Sequence, residues 1–303
     1  MELRHLRYFV RAAELLHFTR AANTLGVSQP TLSLHIQQLE REVGSKLFDR
    51  TGGQFRHVRL TQAGERFLSY AHEALRAVER GKEEIAALNG LLCGTVTLGL
   101  NNIFVGRVME HCIPAFASAY SGVDLMLRMG SQDELEAAIL DGAMDLALTW
   151  LPAESREIEV TILFDDELIV VSGENHPLGQ LPAVTLQQVE PFPLALPGRV
   201  GNIRRLFDAA CAKQKISPRV SLGIDDTAAR LSFVEAGYAA TVAPRSAVAN
   251  RPRLRISRIL NADVKLSAGL LTNKGAQLAS GARRLFDELQ VSFSEPDPAR
   301  ELS

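Results

Sequence analysis

Between Phe18 and Ser33 the chain reads Phe18-Thr19-Arg20-Ala21-Ala22-Asn23-Thr24-Leu25-Gly26-Val27-Ser28-Gln29-Pro30-Thr31-Leu32-Ser33, an order that few folds accommodate. Ala21 and Ala22 are small where two helices must cross closely, and Gly26 permits a tight turn between them. Ser28 starts the next helix, with Pro30 in its first turn, where the missing N–H costs nothing. Val27, Leu32 and Ile36 then fall at the spacing that buries this helix against its predecessor. The opposite face carries Gln29, Pro30, Ser33 and Gln37. Amide and hydroxyl groups there suit base edges in a major groove, and Pro30 offers an apolar contact for a thymine methyl. Thr19, Thr31 and His35 stand where a hydroxyl or imidazole reaches phosphate, and Arg20 and Ser28 complete the expected contact set.

The flanking sequence extends this reading. Leu3, Leu6, Phe9, Val10 and Ala13 give an opening amphipathic helix. Leu47-Phe48-Asp49-Arg50 leads into a glycine-tipped hairpin over 51–60, made basic by Arg50, Arg56 and Arg59, as befits a wing that lies on the backbone or enters a minor groove. Charge agrees. Residues 1–60 hold nine Lys/Arg against five acids, so a chain of net charge −2 divides into a basic end of +4 and a body of −6.

From Thr61, a candidate N-cap, apolar residues Phe67, Ala71, Ala74, Leu75, Val78, Ile85, Leu88 and Leu92 recur every three or four positions. A helix over 61–92 follows. Lacking a globular neighbour in adjacent sequence, its stripe is expected to pair with a second copy, against the alternative of packing on its own C-terminal domain.

Beyond residue 93, strand candidates (95–100, 124–129, 146–149, 167–172, 192–196, 220–224, 240–242 and 265–271) alternate with helices (105–120, 133–142, 203–215, 227–236 and 277–289), which predicts doubly wound sheets. Ligands of such folds gather at the carboxyl ends of strands. That rule selects Asn101, Asn102, Ile103 and Phe104, then Gly130-Ser131-Gln132, Thr149-Trp150-Leu151, Gly201-Asn202-Ile203 and Asp225-Asp226-Thr227. Ser131, Thr149, Asn102 and Asn202 could hold a carboxylate, while Ile103, Phe104 and Trp150 supply apolar wall, so a small organic acid is the expected ligand.

The motifs Leu3-Arg4-His5-Leu6-Arg7-Tyr8-Phe9, Phe18-Thr19-Arg20-Ala21-Ala22, Val27 through Ser33, Gln38-Leu39-Glu40, Leu47-Phe48-Asp49-Arg50 and Leu60-Thr61-Gln62-Ala63-Gly64 together resemble the LysR-type transcriptional regulators. The likeness continues more loosely through Gly94–Gly99, Leu140–Ala147 and Glu235-Ala236-Gly237. It implies a bacterial regulator with an all-α winged helix-turn-helix (1–60), a linker and dimerisation helix (61–92) and an α/β effector domain (93–303). That domain would have two lobes of doubly wound mixed sheet like periplasmic binding proteins, lobe I over 93–162 and 267–303 and lobe II over 163–266. The resemblance also implies a double-stranded DNA operator, a small-molecule inducer in the interlobe cleft, a dimer of dimers, and RNA polymerase as partner of an activator. Two positions depart from the pattern: Leu34 stands where the family often has arginine, and Ile103 where it often has serine or threonine.

Other functions find little support. There is no H-E-x-x-H, G-x-S-x-G, P-loop or complete G-x-G-x-x-G, so an enzyme is not expected. Asp165-Asp166-Glu167 reads as a solvated crossover. An uptake-type binding protein would lack the N-terminal module, and a nucleoid protein would bind any duplex equally. Cys93, Cys112 and Cys211 form no C-x-x-C pair; they read as packing residues, with Cys112 and Cys211 as the one conceivable redox pair, and no cofactor or metal is expected. With no apolar run long enough to span a bilayer and no signal-peptide core, the chain is expected to be cytoplasmic.

Overall fold

In the N-terminal unit, α1 (Leu3–Leu15), α2 (Phe18–Thr24) and α3 (Gln29–Val43) close around Phe9, Leu32, Ile36 and Leu39, all fully buried. The computed structural model describes residues 1–49, 58–89, 91–198, 201–248, 251–262 and 264–294. Two short strands, β1 (Phe48–Asp49) and β2 (Arg59–Leu60), pair antiparallel as the base of the expected hairpin, whose tip lies outside the described residues. The buried Glu40 carboxylate ties this base to α3, accepting from Lys46 Nζ at 2.7 Å and from the backbone N–H groups of Leu47 and Phe48 at 3.0 and 3.3 Å. Burial alone would raise its pKa, but these hydrogen bonds outweigh that effect and hold it below the ordinary carboxylate value.

Thr61 caps α4 (Gln62–Leu88), accepting from Gly64 N–H at 3.0 Å. A Cβ on Gly64 would collide with the Leu47 carbonyl, so glycine lets the helix start directly against the wing. The expectation that α4 has no globular neighbour in its own chain requires correction. Phe67 packs on Phe9 with ring centroids 5.4 Å apart, Ala71 is buried, and Ala74 and Leu75 join the same core. Part of the stripe therefore serves its own domain, while Tyr70, Ile85 and Leu88 stay exposed.

The C-terminal body begins with β3 (Gly94–Leu100), followed by a helical run from a 3-10 turn (Asn102–Phe104) through α5 (Val105–Arg107) and a π-turn (Val108–Cys112) to α6 (Ile113–Ala119). The π-turn answers Pro114, which lacks the N–H for a regular helical bond and would crowd the preceding carbonyl. Next come β4 (Val123–Met129), α7 (Gln132–Leu140), β5 (Leu146–Trp150), β6 (Ile158–Gly173), β7 (Ala183–Thr185), α8 (Leu186–Val189), β8 (Leu194–Leu196) and α9 (Asn202–Lys213). The chain then forms β9 (Val220–Gly223), α10 (Thr227–Glu235), β10 (Thr241–Pro244), β11 (Leu254–Leu260), β12 (Lys265–Asn273) and α11 (Ser280–Ser294).

Strand order is β4-β3-β5-β12-β6-β11-β7, with β10 also on β6, and β8-β9 forming a parallel pair joined to β10 through Leu194 and Ala240. The central strand differs from expectation. Where a strand was predicted only over 167–172, β6 runs for sixteen residues, pairing with β12 over its first part and with β10 and β11 over its last. The two lobes thus share one strand, and each sheet mixes parallel and antiparallel pairs. Helix α11 returns to the first lobe, burying Leu285, Leu289 and Phe293 beside β3. Cys112 and Cys211 lie in separate cores, which rules out their pairing in this structure; burial pushes their thiols up to about 12 and about 11.

Candidate nucleic-acid interface and ligand cleft

The turn before α3 is built as its residues dictate. Gly26 takes a φ of +65°, and Val27 N–H reaches back to Ala22 O at 3.0 Å. Ser28 Oγ accepts from Thr31 N–H at 3.2 Å and lies 2.7 Å from Thr31 Oγ1, so the Thr31 hydroxyl turns toward the cap. Thr19, Arg20, Ser28, Gln29, Pro30 and Gln37 are exposed, and Ser33 and Thr31 are half-buried. Gln29, Ser33 and Gln37 follow one another at four-residue intervals along one helical face. Leu34 is 59% exposed on the same helix. Arg59 is exposed on β2, whereas Arg50 and Arg56 lie outside the described residues.

His35 sits differently from the phosphate-reaching position expected for it. Its ring lies 5.1 Å from His5 and 5.3 Å from Tyr8, with Nδ1 buried and unpartnered, because α1 packs over that edge of α3. His5 is itself buried, and burial, then the neighbouring His35, lower its pKa.

The second site is a cavity of about 930 Å³ between the lobes. The carboxyl ends of parallel β3, β4 and β5 supply one wall, and those of parallel β8 and β9 the other. Of the residues expected from the strand-end rule, Asn101, Asn102, Ser131, Thr149, Trp150, Asn202, Ile203, Asp226 and Thr227 line it. Ile103, Phe104 and Leu151 do not. The 3-10 turn rotates Phe104 beneath the loop, 3% exposed and 4.8 Å from the Trp150 ring, and Ile103 packs on the same core.

Several lining residues are already engaged. Ser131 and Glu134 form the capping box of α7, Asp226 Oδ1 accepts from Ala229 N–H at 2.7 Å as the cap of α10, and Asp225 Oδ1 accepts from Gly198 N–H at 2.6 Å. Helix α9 opens at Gly201 on the cavity wall, an N-cap with no side chain of its own. Across the opening, Asn202 Nδ2 donates to Leu151 O at 2.5 Å and Arg205 pairs with Glu154 at 2.6 Å, so the lobes already touch at one edge.

Sequence reasoning missed Arg230. It lines the cavity at 1% exposure, donating from Nη1 to Ile224 O at 2.7 Å and from Nη2 to Thr227 Oγ1 at 3.3 Å, while Nε has no partner among the described residues. Burial pushes its pKa down to about 10, against the opposing pull of Asp225 and Asp226. One signal was available: a cation near a helix N-terminus opposes the helix dipole, so an arginine four residues after the cap invites a reason.

Helix α4 is tied to this body. Arg76 forms an ion pair with Asp145, whose other oxygen accepts from Thr97 N–H of β3 at 2.8 Å, and Ser280 Oγ lies 2.8 Å from Glu84.

Residues 3–65 match the bacterial regulatory helix-turn-helix proteins of the lysR family, and residues 89–293 match the LysR substrate binding domain. The transcriptional dual regulator GltC of Bacillus subtilis is 32% identical over 300 residues, covering 97% of this chain and 98% of its own. A full-length OxyR variant from Pseudomonas aeruginosa superposes with a TM-score of 0.77 at 22% identity, over 99% of this chain and 97% of that one. Full-length CbnR, solved in complex with its target DNA, gives 0.65 at 24% identity, over 96% and 100%. The last two likenesses speak to the fold.

Proposed function

The chain belongs to the LysR family of transcriptional regulators, and from that premise we propose how its own residues divide the work. The DNA-contact set is Thr19, Arg20, Ser28, Gln29, Pro30, Thr31, Ser33 and Gln37 with Arg59 and the wing arginines Arg50 and Arg56. Gln29, Ser33 and Gln37 read base edges, and the cations set affinity. The observation that carries this reading is the capped start of α3, which holds Gln29 and Pro30 exposed at the helix end that enters a groove.

The interlobe cavity takes a small organic acid, and its occupancy alters the affinity or spacing of the DNA-binding units through α4. Three segments divide the protein: 1–60 for DNA, 61–92 for pairing, and 93–303 for sensing. It acts in the cytoplasm as a homo-oligomer, a dimer of dimers, without catalysis, and meets RNA polymerase where it activates. No described helix is long and apolar enough to cross a membrane.

Binding of the full chain to its footprinted operator and to single-base variants tests the DNA arm. Gln29→Ala should cost about 1–3 kcal/mol at one base pair and relax the choice there. Uniform weakening on every sequence would contradict base readout by Gln29.

A further inference from the structure

The cavity wall fixes more of the ligand's chemistry than the presence of an acid. Gln132, Thr149, Trp150 and Arg230 all line it, each at least nine-tenths buried, and each has a polar atom without a hydrogen-bond partner among the described residues: Oε1, Oγ1, Nε1 and Nε. Buried polar atoms left unmatched are costly and uncommon, and four of them fall on residues that line one cavity.

Their senses can be assigned. Gln132 Nε2 donates to Pro152 O at 2.7 Å and to Glu136 Oε1 at 2.8 Å. A backbone carbonyl only accepts, so the amide cannot be turned over, and Oε1 is fixed as an acceptor awaiting a donor. Arg230 is the reverse case. Its Nη1 donates to Ile224 O and Asp225 O and its Nη2 to Thr227 Oγ1, and Nε–H is a charged donor without an acceptor among the described residues. Trp150 Nε1–H can only donate, and the Thr149 hydroxyl serves either sense. The twelve-residue α9 opens on the same lobe as Arg230 with Gly201, which has no side chain, as its N-cap, and the first N–H groups of a helix find no partner within it.

Gln132 stands on the first lobe and Arg230 on the second, so the two demands belong to opposite walls of the cleft. The geometry points to a small carboxylate that also carries a hydroxyl or amino donor, its carboxylate held by Arg230 and the α9 terminus and its donor given to Gln132 Oε1. Such a ligand bridges the lobes, whereas a plain acid satisfies one wall only. The inference rests on the proposed use of this cleft for an acid and adds the second functional group and the residue that reads it.

The test uses the full chain and a panel of carbon skeletons, aliphatic and aromatic. Each is offered as the plain carboxylic acid, the 2-hydroxy acid and the 2-amino acid, with Trp150 fluorescence and melting temperature as readouts. Substituted forms should bind on the order of tenfold to a hundredfold more tightly than the plain acid of the same skeleton, and whichever of the two does so names the donor. Gln132→Met, close in volume, should abolish that preference, and Arg230→Met should weaken all carboxylates. Equal binding of plain and substituted acids overturns the inference, as does a preference that survives Gln132→Met or a panel in which nothing binds. A substituted acid that binds as expected yet leaves operator affinity and footprint unchanged would uphold the ligand class and defeat the regulatory use of the cleft.

Discussion

Ser28 and Gln29 share one helical turn, Ser28 as its cap and Gln29 as the exposed side chain proposed to read a base. Ser28 Oγ takes the Thr31 N–H that the helix leaves unmatched, so Ser28→Ala should cost about 1 kcal/mol, read as a lower melting temperature of the N-terminal unit. Leu34 raises the opposite question, being exposed on α3 with no polar group to offer. Leu34→Arg should tighten binding to any duplex and steepen the log–log salt dependence by about 0.9, one further phosphate neutralised; an altered base preference at an unchanged slope would contradict this. His5 sets a pH limit on the same unit. Its folded pKa is lowered by burial and by His35, with Glu2 and Glu42 pulling upward and Arg4 downward, and the Tyr8 ring packs on His35. Below the unfolded value of about 6.5 the unfolded chain binds a proton that the folded chain refuses. Stability is therefore full above that pH and lost as pH falls toward the folded value, and His5→Gln should flatten this loss in melting curves taken across the window.

At the scale of elements, Arg76 is the joint between α4 and the sensing body. Its partner Asp145 immediately precedes β5 and also holds Thr97 of β3, the two strands whose far ends carry Thr149 and Asn101 into the cavity. Arg76→Met leaves a mostly buried carboxylate without its cation, a loss on the order of 3 kcal/mol. It should also uncouple the ends of the molecule: ligand still shifts Trp150 fluorescence but no longer changes operator affinity. Retained coupling would place the transmission elsewhere. Elements written in local chemistry were legible in sequence, as with Gly26, Ser28 and Pro30, which fix the turn and start of α3 whatever packs around them. β6 was legible only in its last third, because Val160 and Ile162 are exposed and only pairing with β12 makes that stretch a strand. β11 escaped for a related reason: Arg255 and Arg258 interrupt its apolar pattern, and their partners Glu174 and Glu167 come from far back in the chain. In the cavity, strand-end residues followed from topology. Arg230 did not, because only tertiary packing reveals that its guanidinium is buried, and Phe104 failed because a 3-10 turn replaced the regular helix start.

For the whole molecule, the question is how a small, modestly basic unit binds an operator tightly. On the proposed contact set one copy offers a short face and few cations, and Leu34 adds none, so the proposed linking of two copies, where the second engagement becomes intramolecular, is what would supply affinity. The free part of α4 is the surface proposed for that link. With Phe67, Ala71, Ala74 and Leu75 spent on the chain's own core, the apolar residues left to solvent are Tyr70 near one end and Ile85 and Leu88 near the other. Exposed apolar side chains at helical spacing suit a second helix of the same kind. The double substitution Ile85→Glu, Leu88→Glu should therefore lower the sedimenting mass without unfolding the protein, since neither residue contributes to a core. Operator affinity should fall more than about tenfold, while the weak affinity for a single half-site stays as it was. A variant of unchanged mass would move the pairing surface off this end of α4. Monomers that bind the full operator as tightly as the parent would remove the need for linkage and return the burden of affinity to α3 and the wing.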